Sequence, residues 1–188
     1  MAKLSIVVPC YNEQEAIPLF YPAVEKVVRQ MPVETEYWFV NDGSSDQTLA
    51  ELRKLHDQDP ARVHYVSFSR NFGKEAGLYA GLEAATGDYV VVMDADLQDP
   101  PEYLPEMYQE ISSGEYDCVG MRRTDRKGEA RFKSFLSNQF YNVINKISDT
   151  KIVSGARDYR MMTRQMVDAV LSLKEYNRFS KGIFNWVG

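Results

Sequence analysis

A chain of 188 residues, 44% hydrophobic and 26% charged, is sized for one substantial domain around a single core, which excludes a disordered segment or a peptide-sized scaffold. Its two cysteines, Cys10 and Cys118, lie in or beside apolar runs and read as reduced thiols, so neither a disulfide framework nor a zinc site is available. The net charge of −5 conceals an asymmetry: residues 1–121 carry 8 Lys+Arg against 21 Asp+Glu, whereas residues 122–188 carry 14 against 6, which suits the final third to phosphate, a lipid head group or another polyanion.

Leu4 to Val8 is the first predicted strand, too short and too soon followed by polar residues to be a signal-peptide core. Ile17, Phe20, Val24, Val27, Val28 and Met31 then recur at helical spacing. Tyr37 to Val40 reads as a second strand, Asn41 to Asp46 as a tight loop and cap, and the stretch to about Gln58 as a helix. Val63 to Phe68 is a third strand. Glu75 to Ala85 is a helix rich in small residues (Ala76, Gly77, Ala80, Gly81, Ala84) that lets it lie close to a sheet. Tyr89 to Met93 is a buried fourth strand, Glu102 to Ser112 a helix and Asp117 to Met121 a fifth strand. This alternation predicts βαβ units in one doubly wound domain with a parallel sheet.

Beyond Gly120 the pattern changes. Arg122 to Lys133 holds six basic and two acidic residues, and a long amphipathic helix follows with Phe132, Phe135, Leu136, Phe140, Val143, Ile144 and Ile147 on one side. Asp158 to Met162 reads as a short strand and Gln165 to Leu173 as a helix. The chain stops at Trp186-Val187-Gly188 without a polar tail, as expected of a catalytic domain cut from a longer protein. No run approaches the roughly 18 apolar residues of a spanning helix.

The strongest chemical signal is Asp94-Ala95-Asp96-Leu97-Gln98-Asp99-Pro100-Pro101-Glu102, directly after the fourth strand. Ligands of open α/β sheets bind at that carboxyl edge. Two like charges there need a cation or donors between them. Hard divalent ions take carboxylates plus substrate phosphates, so the segment points to a diphosphate held through Mg²⁺ or Mn²⁺. A helix cap with a spare acid is the bland alternative, since Asp99-Pro100-Pro101-Glu102 also looks like a helix start.

Other polar clusters fall at neighbouring strand ends: Pro9 to Glu13, Asn41-Asp42-Gly43 and Ser69 to Lys74. Tyr11 can stack on a base, Asp42 can accept from a base N–H, and Arg70 or Lys74 can meet phosphate. Each alone is explicable as turn former, cap or surface charge; together on one edge they favour a nucleotide site. No Gly-x-Gly-x-x-Gly follows the first strand, and Gly73-Lys74 lacks both the upstream glycine and the following Ser or Thr of a P-loop. A sugar nucleotide is the natural remainder.

With these segments in hand, Val8 to Glu13, Val40 to Asp46 and Asp94 to Pro100 together resemble the family 2 glycosyltransferases of GT-A fold. The likeness is greatest to the branch that glycosylates polyprenyl phosphates, the bactoprenol glucosyltransferase and dolichol-phosphate mannose synthase group. Arg70 to Lys74, Gly155 to Arg160 and Arg178 to Gly182 look like further blocks of the bactoprenol type, so the resemblance covers essentially the whole chain.

The resemblance implies an α/β fold, a Rossmann-like, doubly wound, mostly parallel sheet flanked by helices, as one domain over residues 1–188. Residues 1–121 would form its nucleotide- and metal-binding part and 122–188 its acceptor- and membrane-facing part. It implies that Pro9, Tyr11, Glu13 and Asp42 line the nucleotide pocket and that Asp94, Asp96 and Gln98 hold the metal and diphosphate. Arg122 and Arg131 fall where relatives place arginines for an acceptor phosphate. Asp158, Arg160, Arg178 and Lys181 would close over the donor diphosphate or the acceptor.

The implied reaction is inverting transfer from a nucleotide sugar, expected to be a UDP-sugar, to a polyprenyl (undecaprenyl) phosphate at the cytoplasmic face of the membrane, for cell-envelope glycan. An anionic membrane surface is an expected partner and an oligomer is compatible with the family. An isoelectric point of 5.2 argues against nucleic acid. A family 2 transferase acting on a sugar hydroxyl, with Asp158 as base, is the alternative, and an anionic-lipid-binding module without turnover is a second.

Overall fold

The computed structural model describes residues 1–122, 156–173 and 180–187. Within them lie β1 (Ala2–Cys10), α1 (Ile17–Val28), β2 (Val33–Asn41), α2 (Thr48–Gln58), β3 (Val63–Ser67), α3 (Lys74–Ala84), β4 (Tyr89–Val92), a short 3-10 helix (Pro101–Tyr103), α4 (Leu104–Ser112), β5 (Cys118–Arg122), β6 (Ala156–Thr163), α5 (Arg164–Ser172) and α6 (Ser180–Val187). The Phe-rich helix expected over 132–147, together with Arg131 and Arg178, lies outside the described residues.

The strands form a six-stranded sheet in the order β3-β2-β1-β4-β6-β5. The first four are parallel, as the βαβ alternation predicts, while β6 runs antiparallel to both β4 and β5. The sheet is therefore mostly parallel. A strand drawn from the part expected to face the acceptor sits in its interior.

Several bonds pin β6 there. Thr163 donates its N–H to the Asp117 carbonyl (3.0 Å) and its hydroxyl to the Asp117 carboxylate (2.8 Å). The same hydroxyl accepts the Met166 N–H and so caps α5. The Arg164 guanidinium donates to the carbonyls of Ala85 and Gly87, which staples α5 to the turn before β4.

Both faces of the sheet are covered, so strand residues alternate between two cores. Leu4, Ile6 and Val8 of β1 pack with Phe20 and Val24 of α1 and Leu104 and Met107 of α4. Val7, Val90, Val92 and Met162 pack on the opposite side with Leu78 and Leu82 of α3, Val167 of α5 and Phe184 of α6. The small residues of α3 serve the close approach expected of them: a Cβ at Gly81 would stand 2.4 Å from Val7 Cγ1.

Two buried carboxylates away from the carboxyl edge are matched by donors. Glu36 of β2 takes bonds from the Ser5 hydroxyl (2.6 Å) and the Thr86 N–H (2.8 Å), with the Lys3 ammonium beside it. Glu25 of α1 accepts from Tyr37 Oη and from both terminal nitrogens of Arg62. These networks tie the amino-terminal side of the sheet and leave the opposite edge for chemistry.

Candidate functional site

Parallel pairing of β1 with β2, from Ala2 opposite Val33 to Cys10 opposite Asn41, ends both strands at one edge, and Val7 opposite Val92 brings β4 to the same edge. There the loops after β1 and β2 are bolted together. Asn12, in the left-handed region at φ 57°, donates its N–H to Ser44 Oγ (3.0 Å) and accepts the Ser45 N–H (2.9 Å) on its side chain. Glu13 and Gln14 donate their N–H groups to Thr48 Oγ1 and the Asp46 carboxylate. Such bonds fix the loops of the rim to each other.

The loops enclose a cavity of about 300 Å³. Pro9, Tyr11 and Glu13 line it from the end of β1, Asp42 from β2, Lys74 from the start of α3, and Asp94 and Asp96 from the end of β4. All seven were singled out from sequence. Cys10, Asn71, Gly73, Gly77 and Ala95 complete the wall. Gly77 was legible only as a close-packing residue; its lack of a side chain beside Pro9 and Val40 leaves the space open.

Asp42 does more than face the cavity. It is 4% exposed, and its two oxygens accept the backbone N–H groups of Phe72 (2.6 Å) and Gly73 (2.9 Å). The carboxylate thus shapes the loop before α3, and any base contact would use its remaining lone pairs. Gly43 at φ 61° lets the Arg70 backbone pass against it. Arg70 itself is exposed, its guanidinium 4.6 Å from the centre of the Phe72 ring.

Charge in the cavity is dominated by acids. Burial pushes the Glu13 carboxyl above its usual range, and Asp96, Asp94 and Asp46 push it further. Burial also drives the Cys10 thiol up, helped by Glu13 and Asp94, so this cysteine is an inert wall residue. Lys74 is the counterweight. Its ammonium lies 2.8 Å from a carboxylate oxygen of Asp94 and 2.8 Å from one of Asp158. Burial alone would lower its pKa, but the bonds it donates to Asp158 and Asp94 hold it above the usual lysine value.

The remaining candidates fall elsewhere. Gln98 is exposed and does not line the cavity; its N–H donates to Asp96 Oδ1 (3.0 Å), closing a turn with Leu97 at φ 57°. Asp158 reaches the site through Lys74. Arg160, expected over the donor, is 5% exposed instead, with its guanidinium 4.3 Å from the centre of the Phe184 ring beneath α6. It shares the sheet face of Met162, two residues on, and that face is covered by helices. Arg122 closes β5 and Lys181 lies in the first turn of α6, while Arg131 and Arg178 lie outside the described residues. Among the described residues no three His, Cys, Asp or Glu side chains are grouped to hold a metal ion by themselves. None of the described helices is long and apolar enough to cross a membrane.

A mostly parallel α/β sheet with paired acids at the carboxyl edge of a central strand and a cavity between its loops places that cavity where open α/β sheets bind their ligands. The sequence profile of glycosyl transferase family 2 matches residues 5–171, and the chain belongs to that family. It is similar to the bactoprenol glucosyl transferase of Shigella phage SfX, 45% identical over 186 residues that make up 99% of this chain and 60% of that relative. The chain thus spans only part of the curated relative's length.

Solved structures share the fold. Glucosyl-3-phosphoglycerate synthase from Mycobacterium tuberculosis, in complex with Mn²⁺, UDP-glucose and phosphoglyceric acid, superposes with a TM-score of 0.59 at 22% identity over 89% of this chain and 59% of that one. The mannosyltransferase PcManGT from Pyrobaculum calidifontis, in complex with GDP-Man and Mn²⁺, gives 0.58 at 22% identity over 89% and 46%.

Proposed function

We propose that this chain is the catalytic domain of an inverting glycosyltransferase that moves glucose from UDP-glucose to a polyprenyl phosphate at a membrane surface. The observation that carries the reading is the convergence of Asp94 and Asp96 with Tyr11, Glu13 and Asp42 on one cavity, in a chain 45% identical to a bactoprenol glucosyl transferase. Tyr11, 49% exposed, offers a face to a base, and a diphosphate reaching on from that base would meet the acids that line the same cavity.

The donor set fits a divalent ion. Asp94 and Asp96 supply hard oxygen ligands, and Asp94 already holds a cation in the form of the Lys74 ammonium. The lack of an all-protein cluster among the described residues suits Mg²⁺ or Mn²⁺, which leave positions to phosphate oxygens and water. Bound there, such an ion supplies Lewis-acid stabilisation of the departing nucleoside diphosphate. The chain's own contribution is to orient the donor through the bolted β1 and β2 loops, so that the face of the anomeric carbon away from the diphosphate is open to attack.

The acceptor reading rests on chemistry. A phosphate monoester, with a second pKa of about 6, is largely dianionic near neutrality and needs cations to hold it more than a base to activate it. A sugar hydroxyl would need a carboxylate base, and the candidate for that role, Asp158, is engaged by Lys74 at 2.8 Å. The basic stretch from Arg122 to Lys133 supplies the cations a lipid phosphate and an anionic surface call for.

The test is transfer of labelled glucose from UDP-glucose to undecaprenyl phosphate in detergent micelles, with Mg²⁺ or Mn²⁺, by the wild-type chain and by Asp96→Ala. The expected result is a chloroform-soluble glycolipid that the variant does not form. Transfer to a free saccharide with none to the lipid phosphate would overturn the reading.

A further inference from the structure

Lys74 is held in an unusual way for a residue that faces a phosphate site. Its ammonium sits between two carboxylates from different strands, Asp94 after β4 and Asp158 on β6, at 2.8 Å from each. Asp94 lines the cavity and is one of the two acids placed to take a metal, while Asp158 reaches the site through Lys74. An oxygen that receives the Lys74 ammonium and one that binds a divalent ion compete for the same lone pairs. Two cations side by side on one carboxylate would also repel each other.

The charge balance of the cavity sets the direction. Among the described residues Glu13, Asp42, Asp94 and Asp96 line the cavity with Lys74 as their one cation, and Asp158 holds that ammonium too, so a diphosphate entering with Lys74 still clamped meets a negative wall. Lys74 has the reach to serve either partner, because its side chain is 43% exposed and lines the same cavity.

We propose that Lys74 is a resident counter-ion of Asp94: a divalent cation displaces it on binding, and the released ammonium becomes a ligand of the donor diphosphate. The inference rests on the metal-dependent reading of the site given above and adds a role that reading does not require. Metal entry and diphosphate capture are then two halves of one exchange. Lys74 opposes the metal when it binds alone and assists when nucleotide and metal bind together.

Opposite signs for one substitution make the idea testable without turnover. Mn²⁺ binding to the chain is measured by the electron-paramagnetic-resonance signal of free Mn²⁺, with and without UDP, for wild type, Lys74→Met and the charge-keeping Lys74→Arg. Circular dichroism checks that each variant is folded. In Lys74→Met, Mn²⁺ alone should bind on the order of tenfold more tightly, as expected for removal of a partly exposed competing charge. UDP should bind about tenfold more weakly in the presence of Mn²⁺, because the ammonium that meets its diphosphate is gone. Lys74→Arg should stay within about threefold of wild type on both counts. Unchanged or weaker binding of Mn²⁺ alone in Lys74→Met overturns the exchange while leaving metal-dependent transfer intact. Absence of Mn²⁺ binding in every protein, with or without UDP, overturns both.

Discussion

The carboxylate of Glu75, in the first turn of α3, accepts both the backbone N–H (3.0 Å) and the hydroxyl of Ser180, the first residue of α6 and 105 positions later in the chain. A side chain from one helix thus caps another, satisfying donors that a helix start leaves without internal partners. Glu75 follows Lys74 directly. One turn of α3 therefore fastens the ends of β4 and β6 with one residue and the start of α6 with the next.

This pairing predicts a coupling that stability measurements can isolate. Glu75→Ala should cost about 1–2 kcal/mol, the usual range for losing a helix cap and leaving a buried donor unmet. Ser180 is 6% exposed, so Ser180→Ala should cost a similar amount. The double variant should lose less than the sum by about 1 kcal/mol, as expected for residues that act on each other. Urea denaturation of the four proteins checks this; additive losses would mean that the contact contributes no stability.

A second prediction concerns acid. Burial alone would raise the Glu36 carboxyl, but Lys3, Ser5 and the Thr86 N–H and hydroxyl outweigh it and hold the pKa at about 2, against an ordinary value of 4.5. A carboxyl depressed on folding stabilises the native chain above its unfolded pKa. That stability drains away as pH falls from about 4.5 towards 2. The difference amounts to about 3 kcal/mol by linkage. Wild type should therefore lose distinctly more stability than Glu36→Gln between about pH 5 and about pH 2.5, read from urea midpoints. Parallel pH curves for the two proteins would refute the assignment.

Gly43 joins backbone geometry to the site. At φ 61° it occupies a region costly for residues with a side chain, and an added Cβ would lie 2.2 Å from the Arg70 carbonyl carbon. Gly43→Ala should cost about 2–4 kcal/mol from left-handed strain and overpacking combined. Because the displaced segment leads into Phe72 and Gly73, whose N–H groups Asp42 holds, nucleotide binding should weaken along with the melting temperature. Calorimetric titration with UDP and a thermal melt test the two effects separately.

Much of this arrangement was readable before the fold was known, for a local reason. Short apolar runs and turn residues mark the ends of β1, β2 and β4, and parallel strands of one sheet present those ends on one edge, so Tyr11, Asp42, Asp94 and Asp96 converge. What depended on distant partners was not readable. The first half of β2, Val33 to Glu36, looks polar because its glutamates hide the alternation, yet Glu36 is 3% exposed and bonded to Ser5 and Thr86. Arg160 reads as a phosphate ligand, and its packing against Phe184, from a helix 24 residues on, has no local signal. Lys74 reads as a free cation because neither carboxylate that holds it is near in sequence.

The last prediction separates the two acceptor chemistries by their acid limbs. If the nucleophile is a phosphate oxygen, the rate should rise with pH as the monoester takes its second charge, with a midpoint of about 6 belonging to the acceptor. Asp158→Asn should lower the rate by loosening Lys74, which among the described residues keeps Asp94 as its partner, but the midpoint should not move. Were Asp158 a general base acting on a hydroxyl, the limb would report its ionisation and vanish with the substitution. Initial rates at saturating UDP-glucose and limiting lipid phosphate, from pH 5 to 8 for both proteins, distinguish the cases (a span of roughly one unit or more either side of the expected midpoint). A limb that persists at the same midpoint in a slower enzyme identifies the titrating group as the substrate, which leaves cations, and not a base, as what the protein must supply to the acceptor.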